Sequence, residues 1–536
     1  MAIALTTYGR VDGTLEDGIH VFYAIPYAAA PVGKLRFQPP QPHAPWVYTR
    51  RAHDRGPVAP QLPDVFYEAY GGQICARSNE DCLHLNIWTP ALDDKRRPVM
   101  FWIHGGSFLI GSGSEPDYNG AKLARDGDVV VVTINYRLGA LGFLHLANLG
   151  EEGFAQSSNH GHRDQIAALK WVRDNIAGFG GDPELITVFG ESAGAVSTQN
   201  LMVSPYSNKL FKRAIPMSGP ALAVGQVTAT NIAKRFLEIA GVKTAAEAQV
   251  LPLDAILRAQ ADLLIEHSET VLGDSLFFPT MDGDVIPEDP LELLRRGVAA
   301  DIDLMIGVTH DEARYWLLYY PEVMSLSESD LDAWAARTFG EHAPRILKTY
   351  RAMPGEKTPA QVMAAIVGGV CFNWAVGHSV IAQSRFQANT WLYRFDVQSD
   401  VADGFYGAPH AGELPFCFGT IDAGMGGWYD KTDPAVLRSI NRSFSKSLLA
   451  FARSGNPNNN DIPRWEPFEP RSGRALLFDR ENSSAGHVFQ DEWKLWDETI
   501  GAAGRDRLTA YFQLPNAPGF KVMGVNWPEQ TSGTDE

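Results

Sequence analysis

The fold is decided by one stretch of sequence, Phe179-Gly180-Gly181-Asp182-Pro183-Glu184-Leu185-Ile186-Thr187-Val188-Phe189-Gly190-Glu191-Ser192-Ala193-Gly194. Its middle, Leu185–Phe189, is a short apolar run with β-branched residues, which predicts a buried strand, and Ala193–Met202 is compatible with a helix. The end of the stretch reads G-x-S-x-G. A strand that enters a helix through such a turn forms a nucleophile elbow, whose strained central residue lifts its hydroxyl clear of the backbone. Ser192 is therefore the candidate nucleophile.

Strand-like and helix-like patterns alternate along most of the chain. Helices are predicted over His162–Ala177, where apolar residues recur at helical spacing, and over Pro434–Ser454. Short apolar runs predict further strands, at Val99–His104, Val129–Asn135, Arg213–Met217, Ile302–Val308 and Thr390–Phe395. This alternation predicts an α/β fold with a mostly parallel central sheet flanked by helices.

We expect a single domain over residues 1–536, because no linker, internal repeat or low-complexity tract interrupts the chain. Two helical insertions are predicted within it, around residues 219–297 and 320–387, and the second includes a helix over Ala360–Gln387. A hydrophobic content of 45% is ample for a large core.

The chain is strongly acidic. It has 63 Asp and Glu against 46 Lys and Arg, a formal net charge of −17, and no basic cluster, which argues against nucleic acid or a membrane surface as a partner. The longest apolar run, Val362–Phe372, is too short to span a bilayer. Met1–Val11 lacks the basic and apolar regions of a signal peptide, so a cytoplasmic location is expected.

Four cysteines in a chain of 536 residues predict neither a disulfide framework nor, from their spacing, a metal site. Cys371 and Cys417 are interpreted as buried small hydrophobic residues. Cys75 and Cys82 are close enough in sequence to form a bridge, and the sequence leaves that pairing open.

A glycine-rich loop supplies the hydrogen-bond donors that a serine nucleophile requires. His104-Gly105-Gly106-Ser107-Phe108 directly follows an early predicted strand, which is where an oxyanion loop is expected. Glycines there allow backbone N–H groups to approach the substrate oxygen. The predicted donors are the N–H groups of Gly106, Ser107 and Ala193, and His104 is given a structural role in the loop.

The catalytic base is sought among 14 histidines. Triads on this architecture follow the chain order Ser, acid, His, so the base belongs in a loop after a late strand. His410, in the loop-forming segment Gly407–Glu413, follows the strand Thr390–Phe395 and meets that requirement. His378 is the alternative, but it lies within a helical pattern. His410 is therefore the predicted base.

The acid is expected at the end of a strand between the nucleophile and the base. Ile302–Val308 is that strand, and Asp311 and Glu312 follow it. Spacing does not choose between these two residues. Nor does it fully exclude Asp282 and Asp284, which lie in a segment more typical of a turn.

These motifs together resemble the type-B carboxylesterase family, which includes the cholinesterases and bacterial para-nitrobenzyl esterases. Phe179–Gly194 fits the family's elbow motif throughout, and Glu80–Trp88 is similar to its second characteristic segment. Three further landmarks are Ile25-Pro26-Tyr27-Ala28, Asn135-Tyr136-Arg137-Leu138-Gly139 and Phe278–Asp284. The resemblance covers most of the chain and implies an α/β-hydrolase fold with a gorge-like active site.

The resemblance also settles the acid, because the family places glutamate at the position of Glu312. It supports His410 as well, since His410–Gly419 is similar to the family pattern H-x-x-E-x-x-x-x-F-G. The implied activity is hydrolysis of a small-molecule carboxylic ester through an acyl-enzyme on Ser192. The triad supplies both the nucleophile and the proton transfer, so neither a cofactor nor a metal is predicted.

The substrate pocket is predicted from two kinds of residue. Glu191, adjacent to the nucleophile, either faces the pocket and tunes the charge of His410 or is a structural carboxylate. Aromatic residues near plausible gorge segments suggest apolar walls, namely Phe66, Tyr67, Tyr70, Phe108, Trp316, Tyr319 and Tyr320.

The oxyanion loop departs from the family at one position. Many members have a third glycine where this chain has Ser107. A backbone donor survives that change, but the Cβ of Ser107 narrows the space beside the acyl carbon. Poor activity on esters of tertiary alcohols is therefore expected.

Two other functions are compatible with parts of this pattern. An amide or carbamate hydrolase would use the same residues. A non-catalytic, cholinesterase-like binding protein, such as the neuroligin-like adhesion proteins, would lack the nucleophile. The complete set of Ser192, Glu312 and His410 argues against that second class.

Overall fold

The computed structural model describes residues 2–62, 78–266, 276–318, 321–354 and 357–501. Its strands are β1 (Ala2–Thr6), β2 (Gly9–Glu16), β3 (Ile19–Pro26), β4 (Arg50–Arg51), β5 (His84–Thr89), β6 (Arg97–Ile103), β7 (Val130–Ile134), β8 (Gly181–Glu191), β9 (Arg213–Met217), β10 (Val224–Gly225), β11 (Thr280–Met281), β12 (Asp303–Thr309), β13 (Thr390–Phe395), β14 (Ala475–Phe478) and β15 (Ser483–Ala485).

The middle of the main sheet is parallel and its two ends are antiparallel. The 13-stranded sheet has the order β1-β2-β3-β5-β7-β6-β8-β9-β12-β13-β14-β15, with β4 paired to β2. Neighbours from β7 to β14 in this order run parallel. The strands from β1 to β7 pair antiparallel along the main path, as do β14 and β15. A separate pair, β10 and β11, is parallel.

Helices connect and cover the strands. The α-helices are α1 (Ala121–Gly127), α2 (Gly139–Phe143), α3 (His160–Asn175), α4 (Ala193–Val203), α5 (Gln226–Ile239), α6 (Ala245–Gln249), α7 (Leu253–Glu266), α8 (Pro290–Arg295), α9 (Glu328–Phe339), α10 (Ala343–Arg351), α11 (Pro359–Gly368), α12 (Ala375–Ser384), α13 (Leu414–Phe418), α14 (Pro434–Ser454) and α15 (Gln490–Thr499). A π-helical turn, Gly369–Trp374, lies between α11 and α12. The 3₁₀ turns are Gly33–Leu35, Pro116–Tyr118, Ala147–Leu149, Ile176–Phe179, Glu312–Leu318, Pro321–Ser325, Gly340–His342, Val401–Gly404 and Gly424–Tyr429.

The elements that carry the motifs lie close to their predicted positions. β9, β13 and α14 have the predicted bounds, and β6, β7, β12, α3 and α4 differ from prediction by only a few residues. β8 begins earlier than predicted, at Gly181, because that residue pairs with Arg97 on β6. α5 to α8 fall within residues 219–297, and α9 to α12 within residues 320–387.

Parallel pairing places the motif-bearing loops at one edge of the sheet. β6 and β8 pair up to Ile103 and Gly190, and β12 and β13 end in register at Thr309 and Phe395. The carboxyl ends of parallel strands meet at the same edge. The loops that contain the predicted oxyanion donors, nucleophile, acid and base therefore converge there.

The core lies along the parallel strands. β6 and β7 are buried at every position, as expected for strands covered by helices on both faces. Trp102 on β6 packs against Phe189 on β8 and Phe418 on α13, with ring centroids 4.9 and 5.0 Å apart. These contacts anchor β6 and β8 close to the edge where the motifs converge.

The run Pro359–Ser384 is long and apolar enough to cross a membrane, but most of its apolar window is buried inside the protein. It is therefore a core helix. The sequence predicts one continuous helix over Ala360–Gln387, whereas the structure divides it into α11, the π-helical turn and α12.

Candidate active site

Ser192 occupies the turn between β8 and α4. Its φ and ψ angles are 57° and −121°, a conformation that is costly for a residue with a side chain. A Cβ on Gly190 would lie 2.5 Å from the carbonyl oxygen of Gly194, and a Cβ on Gly194 would collide with the carbonyl oxygen of Ile103. Both flanking positions therefore require glycine. Ser192 is partly exposed whereas its neighbours along the chain are buried, as a nucleophile that meets substrate requires.

The predicted oxyanion loop is also strained. Gly106, Ser107 and Phe108 have φ angles of 100°, 54° and 62°, and two of these residues carry side chains. Within the described residues, the N–H groups of Gly106 and Ser107 donate to no other group. Ala193 is the first residue of α4, where a helix amide has no intrahelical acceptor. All three predicted donors are therefore available to a substrate oxygen.

His104 fixes the start of the oxyanion loop. Its ring stacks on Tyr136 with centroids 4.5 Å apart, and its Nδ1 donates to the carbonyl of Gly105 at 2.9 Å. The Tyr136 hydroxyl donates to the carbonyl of His104 at 2.8 Å. Burial lowers the pKa of His104 to about 4, so its ring is neutral at neutral pH. These contacts give His104 the structural position that the sequence predicts.

Asp311 joins the loops that follow β12 and β13. Its amide donates to the carbonyl of Ala408 at 2.8 Å, and its Oδ2 accepts from the Ala408 amide at 3.1 Å. This joint places Glu312 beside His410. Oε2 of Glu312 lies 2.5 Å from Nδ1 of His410, and the His410 amide donates to the Glu312 carbonyl at 3.2 Å. The structure thus pairs the predicted base with Glu312 and gives Asp311 a supporting contact.

The Glu312 carboxylate is held at both oxygens. It is 1% exposed, and its Oε1 accepts from the Thr309 amide at 2.8 Å. The alternative acid and base candidates contact other residues: Asp282 accepts from Asn159, Asp284 pairs with Arg163, and His378 pairs with Asp497. Of these candidates, Glu312 and His410 are the acid and base that the structure brings into contact.

Glu191 lies on the other side of the imidazole. Its Oε1 is 3.0 Å from Nε2 of His410, and the residue is 3% exposed. A Cβ on Gly105 would lie 3.0 Å from both Oε2 of Glu191 and Cβ of Ser192. Gly105 therefore packs against both the Glu191 carboxylate and the Ser192 side chain. The contact between Glu191 and His410 is made at Nε2, the imidazole nitrogen that does not contact Glu312.

Three buried glutamates set the electrostatics of the imidazole. Burial, opposed by the charge of His410, raises the pKa of Glu191 to about 7. Burial, reinforced by the charges of Glu191 and Glu312, raises the pKa of Glu413 to about 8. Burial by itself lowers the pKa of His410, but the nearby carboxylates outweigh burial and raise it to about 9, Glu191 and Glu312 more strongly than Glu413. The surroundings therefore favour the imidazolium, the form that a general base acquires during catalysis.

Aromatic rings pack around the imidazole. The ring centroids of Trp316 and Phe372 lie 4.8 and 5.0 Å from that of His410, and the Tyr315 centroid lies at 6.1 Å. Trp316 thus lies beside the predicted base, while its contact with substrate stays a prediction. These rings make one side of the site apolar.

Phe108 lies in a different environment. It is fully buried, and its ring packs against Phe143 and Phe278 with centroids 4.8 and 5.1 Å apart. Its place in the substrate pocket stays a prediction. The other aromatic candidates lie outside the described residues: Phe66, Tyr67, Tyr70, Tyr319 and Tyr320.

Three residues at the site were not assigned a role from the sequence. Glu413 is the glutamate of the H-x-x-E pattern, so that motif contained a usable signal. Tyr315 directly precedes a predicted pocket residue. Phe372 had no local signal, because its approach to His410 depends on the π-helical turn.

Cys82, Cys371 and Cys417 are buried, as predicted for the last two. Cys75 lies outside the described residues, so the structure does not test a bridge between Cys75 and Cys82. In the described part of the chain, no group of three or more His, Cys, Asp or Glu side chains is placed to hold a metal ion.

Comparison with known proteins decides the family. The sequence model of the carboxylesterase family matches residues 2–496. The chain belongs to the carboxylesterase family. Phenmedipham hydrolase of Pseudarthrobacter oxydans is 36% identical over 491 residues, which cover 90% of this chain and 96% of that protein. The para-nitrobenzyl esterase of Bacillus subtilis is 36% identical over 484 residues, 89% of this chain and 95% of that protein.

Solved structures show the same fold. The carboxylesterase EST55 of Geobacillus stearothermophilus superposes with a TM-score of 0.82 at 36% identity, over 92% of this chain and 100% of that one. A para-nitrobenzyl esterase superposes with a TM-score of 0.79 at 33% identity, over 92% and 99%. The predicted α/β-hydrolase fold and the family resemblance are confirmed. This carboxylesterase is a serine enzyme that hydrolyses carboxylic esters.

Proposed function

We propose that this carboxylesterase acts on small-molecule carboxylic esters with Ser192 as nucleophile, His410 as base and Glu312 as acid. In the first step, Oγ of Ser192 attacks the ester carbonyl while Nε2 of His410 takes the hydroxyl proton. Glu312 holds the imidazole through Nδ1 and stabilises its positive charge. The imidazolium then gives its proton to the leaving alcohol, and an acyl-enzyme remains on Ser192.

The second step repeats this chemistry with water. Water loses a proton to His410 as its oxygen attacks the acyl carbon, and collapse of the intermediate releases the acid and restores the Ser192 hydroxyl. In both steps the oxyanion accepts hydrogen bonds from the free N–H groups of Gly106, Ser107 and Ala193. Each such donor is typically worth about 3 kcal/mol in the transition state.

One observation carries this assignment. Oε2 of Glu312 lies 2.5 Å from Nδ1 of His410, while Nε2 lies 3.0 Å from Oε1 of Glu191, the residue that precedes Ser192 in the chain. The proposed acid thus holds the imidazole at Nδ1 and leaves Nε2 to take the proton of Ser192. This supports the order acid, base and nucleophile that a serine triad uses.

Stopped-flow hydrolysis of para-nitrophenyl butyrate tests the proposed two-step reaction. We expect a burst of para-nitrophenol close to one equivalent per active site, followed by slower steady turnover, wherever deacylation is the slower step. Acid quenching during steady turnover should also leave butyryl groups on the protein. Turnover with neither a burst nor protein-bound butyrate at any substrate concentration would contradict an acyl-enzyme pathway.

Carbamate hydrolysis is the second candidate, because one relative at 36% identity is named phenmedipham hydrolase. A carbamate carbonyl is less electrophilic than an ester carbonyl but can be attacked by the same serine. We expect kcat/KM for para-nitrophenyl butyrate to exceed that for phenmedipham by at least about tenfold. The reverse ranking, with both activities lost in Ser192→Ala, would make carbamate the preferred substrate class.

The pH dependence of the reaction should respond to Glu191. His410 must be neutral to act as a base, and the Glu191 carboxylate 3.0 Å from Nε2 stabilises its protonated form. Glu191→Gln removes that charge, so the pKa of His410 falls and the base becomes available at lower pH. We expect the acidic limb of the kcat/KM profile, measured from about pH 5 to about pH 10, to move about one unit lower.

A matched control lies on the same strand. Glu184 is exposed and pairs with Arg173. It lies near the start of β8, whereas Glu191 is the last residue of that strand. Glu184→Gln removes the same charge and should leave the acidic limb in place. An acidic limb that stays fixed or moves to higher pH in Glu191→Gln would show that this carboxylate does not control His410.

Ser107 should limit the size of the alcohol. Its φ of 54° is a conformation that glycine adopts without strain, so Ser107→Gly removes the Cβ while it keeps the backbone donor. We expect the wild-type enzyme to hydrolyse tert-butyl acetate at least about tenfold more slowly than n-butyl acetate. The glycine variant should narrow that ratio chiefly by improving the tert-butyl rate. Comparable wild-type rates for the two isomers would contradict the proposed role of Ser107.

A further inference from the structure

The π-helical turn Gly369–Trp374 contacts the active site on one side. Its Phe372 is buried, with its ring centroid 5.0 Å from that of His410 and 5.6 Å from that of Trp316. A π-helical turn contains one more residue than an α-helical turn, so it changes the direction of every side chain that it carries. Phe372 reaches the imidazole because the helix has this local register.

The other side of the same turn contacts α15, the last helix among the described residues. Glu492 on α15 accepts hydrogen bonds from the Tyr350 hydroxyl at 2.5 Å and from Nδ2 of Asn373 at 3.0 Å. A Cβ on Gly369 would collide with both the Tyr350 hydroxyl and the Glu492 carboxylate. The backbone of the turn therefore approaches this carboxylate as closely as glycine permits.

Two tryptophan side chains complete the attachment. Nε1 of Trp493 on α15 donates to the backbone carbonyl of Asn373 at 2.8 Å. This carbonyl of the π-helical turn therefore accepts a hydrogen bond from a different helix. Gly377 makes this possible, because a Cβ there would collide with the Trp493 indole. Nε1 of Trp374 donates to Asp497 on α15 at 2.8 Å. Helix α15 thus binds the turn by side-chain and backbone contacts together.

These contacts form a continuous path from α15 to the imidazole. Asn373, which Glu492 holds, is adjacent in sequence to Phe372, which packs on His410. A return of the turn to regular α-helical geometry would rotate Phe372 and Asn373 together. Loss of the Glu492 contacts would leave the Tyr350 hydroxyl and the Asn373 amide without their shared acceptor. It would also remove the hydrogen bond that stabilises the π-helical geometry at Asn373.

We propose that Glu492 is a positioning residue, which holds the π-helical turn in register so that Phe372 forms a wall of the substrate site beside His410. The proposal rests on the assignment of His410 as the base, and it concerns which acyl groups fit beside that base. Glu492 touches neither the triad nor the substrate. It acts through the Asn373 contact and the backbone of the turn.

Acyl-chain selectivity tests this proposal. We compare kcat/KM for para-nitrophenyl acetate, butyrate, hexanoate and octanoate in the wild type, Glu492→Ala, Phe372→Leu and the double variant. Phe372→Leu should shift the octanoate-to-acetate ratio by about tenfold and Glu492→Ala by about threefold in the same direction. In the Phe372→Leu background, Glu492→Ala should add no further shift, because its effect passes through that ring.

Conservative and matched variants distinguish the positioning effect of Glu492 from the effect of its charge and from general destabilisation of the protein. Glu492→Gln loses the charge but can keep its carbonyl oxygen as the acceptor for the Asn373 amide while its NH2 group donates to the Tyr350 hydroxyl oxygen, so it should retain wild-type selectivity. Glu498→Ala removes an exposed carboxylate of the same helix, one that pairs with Arg345, and should also retain it. Where Glu492→Ala does not yield folded protein, Asn373→Ala provides the same test, because it removes the contact next to Phe372.

Three results would overturn the proposal. They are unchanged selectivity in Phe372→Leu, unchanged selectivity in folded Glu492→Ala or Asn373→Ala, and selectivity shifts that simply add in the double variant. Failure of the proposed function would look different, because the wild type would then show no turnover of these esters that depends on Ser192.

Discussion

Replacement of Ser192 by alanine is expected to reduce kcat for para-nitrophenyl butyrate by about 10⁵- to 10⁶-fold while the protein stays folded. Loss of the nucleophile leaves only transition-state binding by the oxyanion donors, and in a serine triad removal of the serine alone costs about as much as removal of all three members. The fold should persist because the change deletes one oxygen from a partly exposed side chain. Steady-state hydrolysis and a thermal unfolding curve measure the two expectations.

Ser197 provides the matched control. It lies on α4, the helix that directly follows Ser192; its hydroxyl accepts from Gln165 at 3.1 Å, and it is buried. Ser197→Ala makes the same chemical change about one turn further along and should keep kcat within about threefold of the wild type. Esterase activity of more than a trace in folded Ser192→Ala would refute the assignment of the nucleophile.

The second large effect is expected from Glu312→Gln, which should reduce kcat by about 10⁴-fold. The Glu312 carboxylate accepts from Nδ1 of His410 and carries the negative charge that stabilises the imidazolium. Glutamine keeps the shape of the side chain but presents a neutral group, and its amide can favour the wrong imidazole tautomer. Steady-state kinetics with para-nitrophenyl butyrate, over the pH range in which the variant is folded, measures the loss.

Asp311→Asn is the matched control for this change. Asp311 is adjacent to Glu312, and its carboxylate contacts Arg314 at 3.0 Å and the Ala408 amide at 3.1 Å. Asparagine can still accept from that amide, so we expect a kcat within about tenfold of the wild type. It loses the charge that pairs with Arg314, so we also expect a lower melting temperature. A larger loss of kcat in folded Asp311→Asn than in Glu312→Gln would reverse the assignment of the acid.

Much of the parallel sheet could be predicted from the sequence, because strands buried on both faces are nearly continuous apolar runs. The nucleophile elbow could also be predicted. Close packing leaves no room for a Cβ at Gly190 or Gly194, so both positions require glycine and the elbow has a recognisable sequence pattern. The chain order of the triad then selected His410. These features are local in sequence, or follow from a topology that leaves few choices.

Other features depend on contacts between distant parts of the chain. Spacing did not distinguish Asp311 from Glu312, because the distinction arises when Asp311 bonds to Ala408 across two loops. The sequence analysis does not predict the antiparallel strands β1 to β3; β2 contains several polar and half-buried residues, and β3 finds its second partner, β5, far along the chain. The sequence predicts ordinary helix across the π-helical turn, because Glu492 and Trp493, which hold the turn, lie 119 and 120 residues further along the chain from Asn373.

The central claim is that Ser192 carries the acyl group, and peptide mass spectrometry tests it most directly. The enzyme is mixed with para-nitrophenyl butyrate, quenched with acid during turnover and digested with trypsin. We predict a butyryl group on the peptide of residues 174–209, with fragmentation locating it on Ser192 and no modified peptide in Ser192→Ala. Butyrylation at another residue that rises and decays with turnover, with Ser192 unmodified, would contradict the account.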